Sequence, residues 1–250
     1  MREMVRIIKV SGINGLSRTG GVREGADLVV EKLKKEGVGV DESLVLDSGD
    51  LSEQDELIYE KAKKEFSEGE RVVFIGGDHS ISYSLTRAFF DKFEEGCLVV
   101  FDAHVDGMPA LDEPTHEEWL RGVVERKKLF GGQVLLVGVR KIEDEEKKFL
   151  MEKGIEILNV EGEDLFEKIR EFIGGRQGYL SFDVDVFDPN FFDSSGFLEE
   201  GGFGEELFSL LEKLGCMEEI KGIDVVEFHG DKGDVERSLV VVDMVVKSFL

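Results

Sequence analysis

Crosslinks, membrane anchors, hinges and positive charge are all scarce in this 250-residue sequence. Only two cysteines occur, Cys97 inside the apolar run 97–101 and Cys216 far from it, and neither has a CxxC partner. That usage excludes a disulfide scaffold and points to a reduced, intracellular protein. No apolar run approaches the ~18 residues of a membrane span. The start, MREMVRIIKVSG, lacks the apolar stretch and small-residue cleavage site of a secretory signal, so a cytoplasmic protein with no membrane partner is expected. Three prolines, Pro109, Pro114 and Pro189, mark no linker, and the chain shows neither repeats nor low-complexity segments. One domain over residues 1–250 is the expectation. Lysine and arginine total 31 against 55 acidic residues, for a formal net charge of −24. Such a balance repels phosphate backbones and anionic lipid, which argues against nucleic acid and favours a cationic small molecule.

What the chain does have is a regular alternation. Hydrophobic residues make up 41% of it, enough for one large α/β core. Short β-branched runs at 5–10, 71–75, 97–101, 133–139, 155–160, 179–187 and 221–228 read as strands. Helical patterns lie between them, near 22–36, 53–68, 81–94, 116–128, 143–153, 162–173, 205–214 and 235–249. Strands apolar on both faces and separated by amphipathic helices belong to a mostly parallel sheet covered on both sides. Ligands of such sheets sit at the carboxyl ends of the strands. Two long irregular segments, 102–115 and 188–204, directly follow strands. Much of the acidic excess falls in Glu/Lys-rich stretches such as 52–70 and 143–153, which read as solvated helix faces.

Carboxylates that interrupt apolar strands need another explanation. The strand at 71–75 runs into Gly76-Gly77-Asp78-His79-Ser80, that at 97–101 into Asp102-Ala103-His104-Val105-Asp106, and that at 179–187 contains Asp183-Val184-Asp185; the strand before Glu227 ends in it. Burying so many carboxylates is costly unless a cation sits among them. The period of two along a strand lets Asp102, His104 and Asp106 share one side, as it does Asp183 and Asp185, and His79 completes the set. Four carboxylates and two imidazoles form a hard, oxygen-rich donor set suited to Mn²⁺ over zinc, with room for two ions. Two cations about 3.5 Å apart lower the pKa of a bridging water toward neutrality. A single DxHxD is as well explained by a solvated turn; three such strand ends in one chain are not. Gly76 and Gly77 fit close backbone packing, and Asp78 fits a residue that orients His79 or caps the next helix.

These motifs resemble the ureohydrolase family, that of arginase and agmatinase. GGDHS at 76–80, DAHVD at 102–106 and SFDVDVFDP at 181–189 are similar to its three metal-binding motifs, in its order. GGVREGADLV at 20–29, VGVRKIEDEE at 137–146 and GIDVVEF at 222–228 extend the resemblance over most of the chain. The resemblance implies a three-layer αβα fold around a parallel eight-stranded sheet, which places a further strand between 38 and 46. It implies a trimer or hexamer and two Mn²⁺ ions, one held by His79, Asp102, Asp106 and Asp183, the other by Asp102, His104, Asp183 and Asp185. Asp102 and Asp183 would bridge, and Asp106 would accept a proton from the hydroxide between the ions. Glu227 matches the glutamate that pairs with a substrate guanidinium, a planar fork of donors suited to a carboxylate. His116 is similar to the histidine that passes protons to the leaving amine; the alternative is an exposed histidine at a helix start. Glu143 or Glu146, beyond the strand end at Arg140, would receive a distal ammonium; the alternative is that they stabilise the positive end of a helix.

The implied activity is hydrolysis of a cationic guanidino compound, agmatine or arginine first, to urea and an amine. Formiminoglutamate or another amidino compound is an alternative substrate, and a metal-binding member without turnover an alternative role. Deacetylation on one Zn²⁺ by a relative of the histone deacetylases is disfavoured by the two bridging aspartates and Glu227. Three departures bear on specificity. A loop rich in proline and glycine in many members is replaced by Asp193-Ser194-Ser195-Gly196-Phe197-Leu198, which should be less rigid for want of two prolines. Asn-Pro after the glutamate is replaced by His229-Gly230, and His-Gly by His116-Glu117.

Overall fold

A computed structural model of the chain describes residues 5–15, 19–44, 46, 50–68, 71–160 and 164–250. Its strands are β1 (Val5–Val10), β2 (Glu42–Leu44), β3 (Arg71–Ile75), β4 (Cys97–Phe101), β5 (Val134–Val137), β6 (Glu156–Leu158), β7 (Gly178–Asp183) and β8 (Ile220–Val226). They form one eight-stranded sheet in the order β2-β1-β3-β8-β7-β4-β5-β6, and every pairing is parallel. The helices are α1 (Val22–Lys35), α2 (Leu51–Glu68), α3 (Ile81–Lys92), α4 (Trp119–Lys127), α5 (Asp144–Lys153), α6 (Leu165–Ile173), α7 (Leu207–Gly215) and α8 (Val235–Lys247).

Alternation along each strand builds the two outer layers. Val73, Ile75, Val99, Phe101 and Ile223 face a core completed by α1, α6, α7 and α8, including Leu33, Ile169, Leu211 and Val242. Their neighbours Val72, Phe74, Leu98 and Val100 face the other core, filled by α2, α3, α4 and α5 through Phe66, Phe89, Val123 and Phe149. This is the αβα arrangement expected from continuous apolar strands. Among the described residues, no helix is long and apolar enough to cross a membrane.

The strand expected between 38 and 46 is β2, at one edge of the sheet. Its three residues Glu42, Ser43 and Leu44 are exposed or half-buried, so no apolar pattern announces it; pairing with β1 alone defines it. The strand expected over 179–187 stops at Asp183 and tightens into a 3-10 turn, Val184–Val186. The helix expected from 116 begins at Trp119. The first residues of the helix expected over 162–173 lie outside the described residues, and α6 is seen from Leu165.

The strand order decides where the chemistry can sit. β3, β8, β7 and β4 are neighbours in the middle of the sheet, and they are the strands that run into His79, Glu227, Asp183 and Asp102. Parallel pairing puts all four carboxyl ends on one rim. The chain reverses tightly there, and Gly77 leaves no room for a side chain: a Cβ on it would lie 1.9 Å from the Gly12 carbonyl oxygen, and its own carbonyl accepts the Glu227 N–H at 3.0 Å.

Gly77→Ala should therefore lower stability by about 1–3 kcal/mol or more through overpacking. Gly39→Ala, where an added Cβ meets nothing within 4 Å, should be neutral or slightly stabilising. Thermal unfolding of both variants checks this; equal melting temperatures would show that the rim tolerates a side chain at 77.

Candidate metal centre

His79 follows β3 at the start of the turn into α3. Its backbone N–H donates to Glu227 Oε1 at 2.8 Å, which ties the β3 and β8 ends together. Asp78, beside it, accepts from the Asn14 N–H at 2.9 Å and from Thr19 Oγ1 at 2.7 Å, and from the Ser80 N–H. It orients the turn and faces away from the metal-type cluster, as its position before His79 suggested. The His79 ring is 1% exposed and lies against Trp119, with centroids 4.6 Å apart. Its Nε2 is 2.9 Å from Ser181 Oγ. Ser181 in turn donates to Asp224 Oδ1 at 2.8 Å, and Tyr179 donates to Asp224 Oδ2 at 2.8 Å. With Asp224 taking the Ser181 proton, Ser181 is left to accept from Nε2–H, which turns Nδ1 toward the carboxylates.

Around that Nδ1 lie Asp106 Oδ2 at 2.9 Å, Asp102 Oδ2 at 3.1 Å and Asp183 Oδ2 at 3.2 Å. His104 Nδ1 lies 2.8 Å from Asp185 Oδ2 and 3.5 Å from Asp102 Oδ1. Two sets of ligand-type atoms result, His79 with Asp102 and Asp183, and Asp102 with His104 and Asp185, each set within 4.8 Å. Asp102 belongs to both. Asp183 falls in the His79 set, while Asp106 accepts from Trp119 Nε1 at 2.9 Å and touches His79 Nδ1 at 2.9 Å.

The convergence does not come from strand alternation. Residues 102–106 are irregular, Asp106 has φ +53°, and Asp185 sits in the 3-10 turn. What gathers the side chains is short-range capping: Asp102 Oδ1 accepts the His104 N–H at 2.6 Å and Asp183 Oδ1 the Asp185 N–H at 2.8 Å, the i to i+2 bonds that aspartate favours in turns. Asp185 Oδ1 then accepts the Ala103 N–H at 3.0 Å, binding the two segments to each other. Arg140 locks the second from outside, donating to the carbonyls of Gly138, Asp185, Val186 and Glu199 at 2.8–3.1 Å.

The charge balance is that of a cation site. Burial opposes a charged His79, yet the carboxylates of Asp102, Asp106 and Asp183 gathered at its Nδ1 together raise it well above the ordinary imidazole range. His104 is pushed up to about 12, against burial, by Asp102 and Asp185. Burial, then the charge of Asp102, lifts Asp106 to about 6, and burial followed by Asp185 and Asp102 lifts Asp183 well above the carboxylate range. Carboxylates this close hold protons between them unless a stronger positive charge replaces those protons. His79 Nδ1 and Asp102 Oδ2 are buried and face one another without hydrogen-bond geometry, which suits two ligands turned to a common ion. The donor set fits hard divalent cations.

Glu227 closes one side of the cavity. It adopts φ +65°, is 4% exposed, and leaves Oε2 without a hydrogen bond. Burial first, then the charge of Asp78, raises its pKa well above the carboxylate range. His116 is 7% exposed, so the exposed helix-start alternative fails; its ring stacks on Phe197 with centroids 5.4 Å apart, and neither ring nitrogen is hydrogen-bonded. Together with Ser195 and Phe197 these residues line a cavity of about 20 Å³ above the carboxylates. A larger depression of about 850 Å³, lined by Val5, Arg71 and Cys216 among others, lies at the opposite rim of the sheet, away from both ligand-type sets.

Glu143 and Glu146 do not join the cavity. They form a reciprocal capping box at the start of α5; Glu146 accepts the Glu143 N–H at 2.8 Å and, with its other oxygen, the Gly107 N–H at 3.0 Å. Helix capping, the alternative weighed for them, accounts for both. Ser181, Asp224 and Trp119 were not singled out by the sequence. The first two are polar residues inside otherwise apolar strands, the same signal that exposed Asp102 and Asp183.

The model of the arginase family matches residues 8–250. An agmatinase of Photorhabdus laumondii is 29% identical over 185 residues, a stretch covering 74% of this chain and 60% of that protein. The chain thus matches about three fifths of that relative's length. The crystal structure of an arginase from Bacillus caldovelox superposes with a TM-score of 0.83 at 22% identity, covering 99% of this chain and 98% of the other. The formimidoylglutamase of Bacillus subtilis superposes with a TM-score of 0.85 at 18% identity, covering 98% and 85%. At those identities the superpositions establish the fold, and it is the family match over residues 8–250 that places the protein: it belongs to the arginase family.

Proposed function

We propose that the chain is a binuclear manganese hydrolase that cleaves a guanidino compound, agmatine or arginine being the first candidates, to urea and an amine. The observation that carries this reading is the pair of ligand sets sharing Asp102 directly beside the open carboxylate oxygen of Glu227. His79, Asp102, Asp106 and Asp183 would hold one ion, and Asp102, His104, Asp183 and Asp185 the other. When bound, the ions supply the Lewis acidity that makes water a nucleophile near neutral pH. Glu227 pairs with the planar cation and sets its carbon against the carboxylate cluster. Asp106, held from behind by Trp119, takes the proton of the attacking water, and His116 delivers a proton to the departing amine. With Glu143 and Glu146 engaged in capping, selection among substrates falls to the head group and to the wall formed by His116, Ser195 and Phe197. Residues 1–250 act as one domain in this reading, which the family match over 8–250 supports.

Incubation with Mn²⁺ and a panel of arginine, agmatine, guanidinobutyrate and formiminoglutamate should release urea or formamide from one of them. Glu227→Gln should cut kcat/KM at least about tenfold, the value of one charge-assisted contact, with metal content unchanged. No product from any of the panel at full metal occupancy would sink the reading.

Metal analysis separates the two ligand sets. The wild type should bind two Mn²⁺ per chain, Asp185→Ala about one, and Asp102→Ala close to none, because Asp102 would hold both ions and Asp185 only one. Equal losses in the two variants would contradict a shared ligand.

Metal binding must also displace the protons that His79, His104, Asp106 and Asp183 hold in the absence of cations. Affinity for Mn²⁺ should therefore rise with pH, steeply through about pH 6 where Asp106 titrates, with proton release visible in calorimetry as a dependence on buffer ionisation enthalpy. Affinity that is flat from pH 5 to 8 would show that the cluster is already deprotonated.

A further inference from the structure

Glu227 is not the only buried acceptor left open beside the cavity. His229, two residues on, is fully buried. Its backbone N–H donates to the Ser194 carbonyl at 2.8 Å, which fixes the ring against the 193–198 loop. Nδ1 lies 3.3 Å from Asp231 Oδ1. A carboxylate only accepts, so Nδ1 carries the proton and Nε2 presents a lone pair. That Nε2 is buried and has no hydrogen bond. It faces Glu227 Oε2, also without a partner, at 4.0 Å, too far for the two to satisfy each other.

Two unpartnered acceptors side by side call for donors. A buried polar atom without a partner costs about 1–3 kcal/mol; burial favours a proton on Glu227, and a bound cation that displaces it leaves both atoms as acceptors. The approach to Nε2 is kept open by Gly196: a Cβ there would stand 3.1 Å from Nε2, while its neighbours Ser195 and Phe197 line the cavity with Glu227. Burial, then the charge of Lys232, holds the ring below the ordinary imidazole range and so in its neutral, accepting form.

We propose that His229 is a specificity-determining residue, its Nε2 accepting one N–H of the substrate's planar cation while Glu227 Oε2 accepts another. The pair selects a head group whose terminal amidinium edge is unsubstituted and offers two N–H donors, and rejects cations alkylated on that edge. This rests on the hydrolase reading above. It makes the histidine in the place of the family's more familiar Asn a substrate contact rather than a filler.

The test uses the Mn²⁺-loaded protein and guanidinium chloride at low millimolar concentration, with N,N,N′,N′-tetramethylguanidinium, which keeps no edge bearing two N–H donors, as the comparison, followed by titration calorimetry. Metal content and melting temperature are measured for every variant. Guanidinium should bind to the wild type, about tenfold more weakly to His229→Leu, which loses the acceptor, and nearly as well to His229→Gln, which keeps one. Gly196→Ala leaves His229 in place but crowds its Nε2, and should weaken guanidinium binding several-fold; it decides the matter if His229→Leu fails to fold. The wild type should prefer guanidinium to its tetramethyl derivative, and His229→Leu or Gly196→Ala should narrow that preference. Unchanged guanidinium affinity in Gly196→Ala and in any folded His229→Leu, together with loss in Glu227→Gln, overturns the role of His229 while leaving the hydrolase reading intact. Guanidinium that does not bind the wild type, or binds it independently of Glu227, overturns both.

Discussion

Negative charge packed behind a hydrophobic sheet is the constraint from which the rest of this rim follows. Asp102, Asp106, Asp183 and Asp185 are all buried, and nothing in the two apolar cores beneath them can offset their repulsion. In the absence of a cation the cluster survives by retaining protons, which is what the raised His79, His104, Asp106 and Asp183 express. Surrounding residues are then committed to holding geometry against that repulsion. Asp224 and Ser181 turn His79, Trp119 restrains Asp106, and Arg140 binds the carbonyls of the turn that carries Asp185. Each of these contacts acts on a ligand through a donor or acceptor of fixed direction, the form of support that sets ligand orientation most sharply.

The buried carboxylates were legible because they break a rule. An aspartate that ends an apolar strand is unfavourable alone, and four adjacent strands breaking the rule at the same end leave little but a cation to explain it. Strand β2 broke no rule and carried no pattern, since an exposed three-residue edge strand is defined by its partner and not by its own side chains. Asp102 and Asp106 converge through a left-handed turn and side-chain capping and not through strand alternation, which spacing alone does not distinguish from such a turn. Glu143 and Glu146 show the converse limit. Acidic residues at a helix start have two uses, and only the position of Gly107, whose N–H Glu146 accepts, decides between them.

Ser181 and Asp224 lie between these cases. Both were visible as polar residues within the apolar runs 178–183 and 220–226, but their side chains point below the rim, and a single buried serine is more often satisfied by the local backbone than by a metal ligand's imidazole. Their function depends on β7 and β8 being neighbours, with Ser181 paired to Asp224 in the register. That adjacency belongs to the topology, and it puts the hydroxyl within 2.8 Å of the carboxylate. The same adjacency brings Tyr179 to the other carboxylate oxygen, so Asp224 is satisfied on both sides and has one role left, to fix the Ser181 proton.

The segment from Asp188 to Gly204 shows how a loop keeps its shape without the prolines common in its relatives. The missing prolines bear only on the backbone, whereas side chains restrain the loop at both ends. Asp188 accepts the N–H groups of Asn190 and Gly201 at 2.8 and 3.1 Å, drawing the two sides together. Phe187 and Phe203 form a bridge beside them, and Arg140 reaches the Glu199 carbonyl at 3.1 Å. Asp193 accepts the Asp234 N–H at 2.9 Å and pairs with Arg237 at 3.1 Å, tying the middle of the loop to the start of α8. What these ties leave least restrained is the crest at Gly196 and Phe197, where Phe197 stacks on His116 and is 37% exposed. The crest covers the cavity, so any ligand larger than the space now enclosed must displace that stack. Proline would fix a crest by limiting φ, while this loop fixes its feet and leaves the crest to be set by what binds beneath it.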